Sequence, residues 1–163
     1  MNRLIVAAAA AALLVLPCVT YAQAPAAPPA YGLGISMDAA KKALAAAEAE
    51  AKKNNWPVAI AIVDSSGKLA AFSKMDNTQI GSVDIAIGKA VTANNFRRPT
   101  KAFQDGIAQG GGNLRILGQP GITPLEGGVP IVVDGKIIGA IGVSGVTSEQ
   151  DAVVAMAGAA AAK

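Results

Sequence analysis

The sequence contains no histidine, one cysteine and few aromatic side chains. Of its 163 residues none is His, the single cysteine is Cys18, and 4% are Phe, Trp or Tyr. Histidine is the most frequent general acid or base and metal ligand near neutral pH, and the Cys thiolate is a common nucleophile. Their scarcity argues against the commonest hydrolases and soft metal sites, and leaves carboxylates, lysines, tyrosines and hydroxyls as reactive groups.

Charge is also sparse. Charged residues make up 15% of the chain, the formal net charge is +3, and the basic residues form no run. A nucleic-acid partner would call for clustered Lys and Arg with aromatic side chains between them, so none is expected. The chain is 52% hydrophobic and rich in alanine and glycine, which predicts a core of small, closely packed side chains.

The first 22 residues have the pattern of a Sec-type signal peptide. Arg3 precedes an apolar run over residues 4–16, Pro17 ends it, and small residues lead to cleavage after Ala22. A lipoprotein signal is the alternative, although it would need a small residue in place of Pro17 before Cys18. No later apolar run reaches the about 18 residues that a membrane helix needs. We therefore expect a periplasmic or secreted protein without a membrane span, its only cysteine lost with the signal.

Four helices are predicted after a Pro/Ala-rich leader at residues 23–35, which we expect to be an extended tether before order begins at Ser36. The predicted helices run from the N-cap Ser36 to about Lys53, from Ser82 to Asn95, over residues 101–109 after the cap Thr100, and from the cap Ser148, with Asp151 three residues on as in a capping box. The domain proper is thus predicted to span residues 36–163.

Two hairpins share one pattern: apolar strand, Asp, turn, Gly-Lys, apolar strand. The first pairs residues 56–63 with 68–75, and the second, GGVPIVVDGKIIGAIGVSG at 127–145, turns at Asp134-Gly135. A helix follows each hairpin, which predicts an α+β fold with an antiparallel sheet of two hairpin–helix units and helices on its faces. Residues 110–128, which lead into the second hairpin, contain seven glycines and are expected to form a loop with a short strand at 114–117.

The last predicted strand has one face of mostly small residues. Ile138, Ala140, Gly142 and Ser144 alternate onto that face. Small side chains allow close approach by a packed helix, by a partner chain or by a flat ligand. The sequence leaves these interpretations open.

The segments VAIAIVDSSGKLAAF, IGKAVTA and LEGGVPIVVDGKIIGAIGVSGVTSEQD resemble the GlcG/HbpS-like family of extracellular haem-binding proteins, over nearly all of residues 36–161. The resemblance implies a profilin-like sandwich with about five strands, and assembly into homo-oligomers, some of them octamers. Some members bind haem, and others are encoded near glycolate-type catabolism without a settled activity.

The resemblance implies haem or a related tetrapyrrole as the cofactor or ligand of an exported binding protein. Family haem sites often use histidine, which is absent here, so the axial ligand stays open among these candidates: Met37, Met75, Met156, Tyr31, Thr92 and Thr100. Methionine equally serves as a core filler.

A slot beside the Gly-rich loop is the expected binding site. Its walls, its cations for ligand carboxylates and its small-residue floor are assigned to Phe72, Met75, Lys89, Thr92, Phe96, Arg97, Arg98, Lys101, Phe103, Gly127, Gly128, Pro130, Gly142 and Ser144. Lys89 alternatively is an exposed helix lysine, and the basic residues after the second helix alternatively solvate its end.

Two other functions stay open, although the sequence favours a binding protein over an enzyme. One is an accessory or catalytic protein of 2-hydroxy acid catabolism, with Glu126 as the candidate base because it stands beside the Gly-Gly turn. The other is a structural homo-oligomer. Asp64 and Asp134 are interpreted as turn residues that bond to their own backbone.

Overall fold

The computed structural model of the protein describes residues 27–163. The strands are β1 (Ala30–Tyr31), β2 (Ala59–Asp64), β3 (Leu69–Lys74), β4 (Gly128–Val133) and β5 (Lys136–Ser144). The helices are α1 (Met37–Lys53), α2 (Ser82–Phe96), α3 (Lys101–Gln109), a 3₁₀ helix (Gly111–Gly118) and α4 (Ser148–Ala161). The predicted signal peptide, its cleavage point and Cys18 lie outside the described residues. Among residues 27–163 no helix is long and apolar enough to cross a bilayer.

All five strands join one sheet around β5. β2 and β4 flank β5 on opposite edges, both antiparallel, and β3 continues the sheet beyond β2. The predicted α+β class is confirmed, but a purely antiparallel sheet is wrong, because β1 runs parallel to the start of β5. Order also begins before Ser36: the Gly32 N–H donates to the Ile137 carbonyl at 2.8 Å, and Ile35 N–H to Ile138 at 2.7 Å. The leader thereby supplies hydrogen-bond donors to the carbonyl groups of β5 that β2 does not reach.

The two faces of the sheet carry different helices. On one face α1 and α4 bury the larger side chains of β2 and β5, including Ile60, Ile62, Ile141 and Val143. On the other face α2 packs on alanines, including Ala61 and Ala140. A side chain at Gly142 would overlap the Ala86 carbonyl of α2, so the small face accepts a helix backbone. Close helix packing is therefore confirmed at Ala140 and Gly142.

Ile138 departs from the predicted alternation. It packs against the α1/α4 cluster rather than beside Ala140. The pairing of β4 with β5 shifts register between Ile131 and Val132, so β5 has one extra residue there and the side-chain alternation resets.

Four local predictions meet different outcomes. Ser36 caps α1 as predicted, its Oγ accepting from Ala39 N–H at 3.2 Å. Thr147, not Ser148, caps α4, in a capping box with Gln150. Thr100 precedes α3 without a capping bond because its hydroxyl is used elsewhere. The expected strand at 114–117 is wrong: these residues belong to the 3₁₀ helix, which packs beside α3.

Candidate functional site

A buried ion pair links α2 to α4. Lys89 Nζ donates to Asp151 Oδ2 at 2.7 Å and to the Val143 carbonyl at 2.9 Å, and the two side chains are 2% and 3% exposed. The alternative prediction that Lys89 is an exposed helix lysine is therefore wrong. A ligand carboxylate could reach Lys89 only by displacing Asp151 or the Val143 carbonyl. Asp151 was predicted mainly as a helix cap, which is wrong, since its side chain faces Lys89 and accepts from Val146 N–H at 3.2 Å.

Burial dominates the titration of Asp151. Desolvation raises the pKa of Asp151 above its ordinary value, and the hydrogen bond and charge of Lys89 oppose that rise only in part. The charged form of Asp151 in the folded protein is consequently stabilised by Lys89.

The Gly-Gly turn covers the ion pair. Gly127 has φ of 120°, and a Cβ on it would lie 2.8 Å from Asp151 Cβ and 2.9 Å from Lys89 Nζ. A Cβ on Gly128 would overlap the Lys89 carbonyl oxygen. Both glycines are thus required by close backbone approach.

Two threonine hydroxyls considered as ligands are occupied by the backbone. Thr100 Oγ1 accepts from Gly128 N–H at 2.8 Å, and Thr92 Oγ1 accepts from Thr123 N–H at 2.9 Å. Both threonines are completely buried. Thr100 holds β4 against the start of α3, Thr92 holds the preceding loop against α2, and neither threonine opens onto the surface.

An apolar groove runs between β4 and α4, above the ion pair. It consists of two clefts that share Val129 and Met156. The first has a volume of about 200 Å³ and is lined by Pro99, Lys101, Glu126, Gly127, Gly128, Val129, Ala152 and Met156. The second has a volume of about 210 Å³ and is lined by Val129, Pro130, Val132, Met156, Ala159, Ala160 and Lys163. We call the two together the β4–α4 groove.

Ionic contacts concentrate at one side of the first cleft. Lys101 Nζ lies 2.9 Å from Asp105 Oδ1 and 3.5 Å from Glu126 Oε2. The hydrogen bond that Lys101 donates to Asp105 raises the pKa of Lys101. The Glu126 side chain is 13% exposed, and its backbone N–H donates to Gln104 Oε1 at 2.9 Å. Glu126, the candidate base, is therefore held in an ion pair beside the groove.

Met156 is the soft donor of the groove. It is 54% exposed and lines both clefts. Of the other axial candidates, Tyr31 donates its hydroxyl to the Asn94 carbonyl at 2.8 Å, while Met37 starts α1 and Met75 follows β3, both outside the groove. Met156 was named in the sequence as one candidate among six, and only the fold singles it out.

The predicted ligand-binding residues separate into several places. Lys101, Gly127, Gly128 and Pro130 line the groove. Arg98, Phe96 and Phe103 gather on the other side of the first turn of α3, where the Phe rings meet edge-on with centroids 5.2 Å apart. The rest lie elsewhere: Arg97 over the Tyr31 ring, Phe72 against α2, Met75 after β3, Gly142 beneath α2 and Ser144 buried at the end of β5. Within residues 27–163 no cluster of three or more carboxylates could hold a metal ion.

Comparisons with known proteins agree with this architecture. Residues 35–160 match the family described as "Haem degrading protein HbpS-like". Protein GlcG of Escherichia coli K12 is 47% identical over 110 residues, which cover 68% of this chain and 81% of that protein.

Two solved structures are similar throughout the domain. The structure of a double mutant of HbpS from Streptomyces reticuli is 30% identical with a TM-score of 0.73, covering 88% of this chain and 97% of that one. The structure of a PduOC:haem complex is 29% identical with a TM-score of 0.71, covering 79% and 95%. With its mixed five-stranded sheet and the match over residues 35–160, this chain belongs to the HbpS-like family.

Proposed function

We propose that the protein binds haem or a related tetrapyrrole in the β4–α4 groove. The observation that carries this proposal is the apolar groove itself, with Met156 in both of its clefts and one lysine in each, Lys101 and Lys163. The family description and the haem held by the similar PduOC structure support the same ligand class.

The residues of the groove fit such a ligand in chemistry. Apolar walls suit a macrocycle, and a methionine thioether is an axial ligand known from cytochromes. Lys163 can pair with a ligand carboxylate, whereas Lys101 would exchange Asp105 and Glu126 for it. Bound haem would supply an iron centre that changes oxidation state, while this chain excludes water and orients the ring. Each cleft is smaller than the roughly 300 Å³ of common ligand pockets, so a tetrapyrrole has to extend over both.

A haem titration of the chain beginning at residue 23, followed by absorbance, tests the proposal. We expect a saturable Soret band, and Met156→Leu should shift its position and weaken binding by about tenfold or more. Met37→Leu is the matched control, since Met37 lies outside the groove. Identical spectra and affinities for both variants would overturn the assignment of Met156, and the absence of saturable binding would overturn the ligand.

We further propose that the protein is exported and acts as a homo-oligomer. The N-terminal sequence pattern supports export, and the exposed side chains of Leu114, Leu117 and Leu125 support self-association through the segment around the 3₁₀ helix. Mass spectrometry of the protein recovered outside the cytoplasm should give a chain that starts at Gln23. Light scattering should give a mass of several chains, and a monomer at micromolar concentration would contradict the assembly.

A further inference from the structure

A second pocket lies across the first turn of α3 from the groove. Pro99 and Lys101 face the groove, whereas Arg98 and Ala102 face this pocket. Its volume is about 220 Å³, and it is lined by Arg98, Ala102, Phe103, Gly106, Ile107, Asn113, Arg115 and Ile116. We call it the arginine slot.

The slot carries uncompensated positive charge. In the described part of the chain no carboxylate pairs with Arg98 or Arg115, while nearby Lys101 has two acidic partners. Arg98 Nε donates to the Phe96 carbonyl at 3.2 Å, and its guanidinium stands 5.7 Å from the Phe103 ring centroid. These contacts orient Arg98 and leave its terminal N–H groups for another acceptor.

Part of the wall of the slot is apolar. Ala102, Phe103 and Ile107 from α3 face Ile116 from the 3₁₀ helix. No residue of either helix is fully buried, although α3 presents an apolar stripe. Two guanidiniums beside this apolar, partly aromatic wall are suited to an organic anion, because arginine binds carboxylates in a bidentate manner while the wall contacts the apolar part.

We propose that the arginine slot binds a small organic carboxylate with an apolar body. Its volume is below the roughly 300 Å³ of common ligand pockets, so the ligand is smaller than a tetrapyrrole. This site is separate from the β4–α4 groove and does not depend on the proposed haem site.

Calorimetric titration with benzoate, with benzamide as its uncharged counterpart, tests the proposal. Benzoate should bind at least about tenfold more tightly than benzamide, since the two share an apolar ring and differ in charge. R98Q/R115Q should weaken benzoate binding by about tenfold or more. R97Q is the matched control, because Arg97 lies over Tyr31 outside the slot, and it should leave benzoate affinity within about twofold.

Three results would overturn the proposal: equal binding of benzamide and benzoate, equal loss in R97Q and R98Q/R115Q, or no binding at millimolar benzoate. Circular dichroism checks that R98Q/R115Q is folded. Light scattering separates a further case: if the arginines instead pair with a second copy, R98Q/R115Q changes the mass and benzoate does not bind, which refutes a ligand slot. Met156→Leu should leave benzoate binding intact. The proposal for the arginine slot and the proposal for the β4–α4 groove can therefore be refuted separately.

Discussion

At the scale of single residues, Lys89 and Asp151 form the most consequential contact. Each ion loses nearly all its hydration, which costs several kcal/mol per group in real proteins. The 2.7 Å ion pair and the bond to the Val143 carbonyl offset that cost only while both partners are present. The pair also supports the floor of the groove, because Gly127 lies directly on it.

Removing one partner should therefore be far worse than removing both. We expect Lys89→Met to lower the free energy of unfolding by about 3–5 kcal/mol, and Lys89→Met/Asp151→Leu to recover much of that loss. Urea unfolding provides the measurement. Lys52→Met, which breaks the exposed pair with Glu48, should cost less than about 1 kcal/mol. Similar losses in the two single variants would contradict the importance of burial.

The same pair predicts a dependence on pH. Burial raises the pKa of folded Asp151 above its ordinary 3.8, and Lys89→Met removes the opposing effect of the ammonium. The folded state then holds a proton that the unfolded state releases, so stability falls as pH rises from 3.8 through the raised folded pKa. The stability difference between wild type and Lys89→Met should widen from pH 4 to pH 8. Asp151→Asn in the Lys89→Met background should remove this dependence, and a difference that narrows would refute the sign.

Residue roles were predictable where their partners are local. Asp64 was assigned to its turn, and its Oδ1 accepts from Ser66 N–H at 2.8 Å and Lys68 N–H at 3.0 Å. Lys89 and Asp151 are 62 residues apart, and nothing beside Lys89 distinguishes it from a solvated helix lysine. Its burial follows only from the way α2 and α4 meet at the Gly-Gly turn.

At the scale of elements, strong local signals decided which predictions held. The Asp134-Gly135 turn has positive φ at both residues, 49° and 72°, as a two-residue hairpin requires. β1 had no such signal, because a Pro/Ala-rich leader becomes a strand only where β5 offers a free edge. The apolar run at 114–117 was too short to separate a strand from a helical turn.

Gly142 determines how closely α2 approaches the sheet. A methyl group there would overlap the Ala86 carbonyl and the Ala90 amide of α2, and backbone atoms give way only if the helix moves. Gly142→Ala should lower the free energy of unfolding by about 1–3 kcal/mol. Gly112→Ala is the matched control, since no atom lies within 4 Å of the added methyl. Chemical denaturation measures both, and a neutral Gly142→Ala would mean that α2 is not held against β5 as described.

At the scale of the whole molecule, helices cover both faces of the sheet, and the groove and the slot lie on either side of α3. The family resemblance predicted this architecture. It did not predict that the basic residues divide between two pockets, because that depends on the path of the chain from Arg98 to Lys101 and on the 3₁₀ helix folding back on α3.

The leader should prove to be part of the folded unit rather than a free tether. Ile35 is 9% exposed, and the Gly32 and Ile35 amides bond to β5. A chain that begins at Ser36 should lose about 2 kcal/mol of unfolding free energy, roughly the value of burying one isoleucine side chain. A chain that begins at Pro29 retains β1 and should match the chain that begins at Gln23. The urea midpoints of the three chains provide the comparison. If the chains that begin at Pro29 and at Ser36 unfold at the same urea concentration, residues 29–35 do not stabilise the fold.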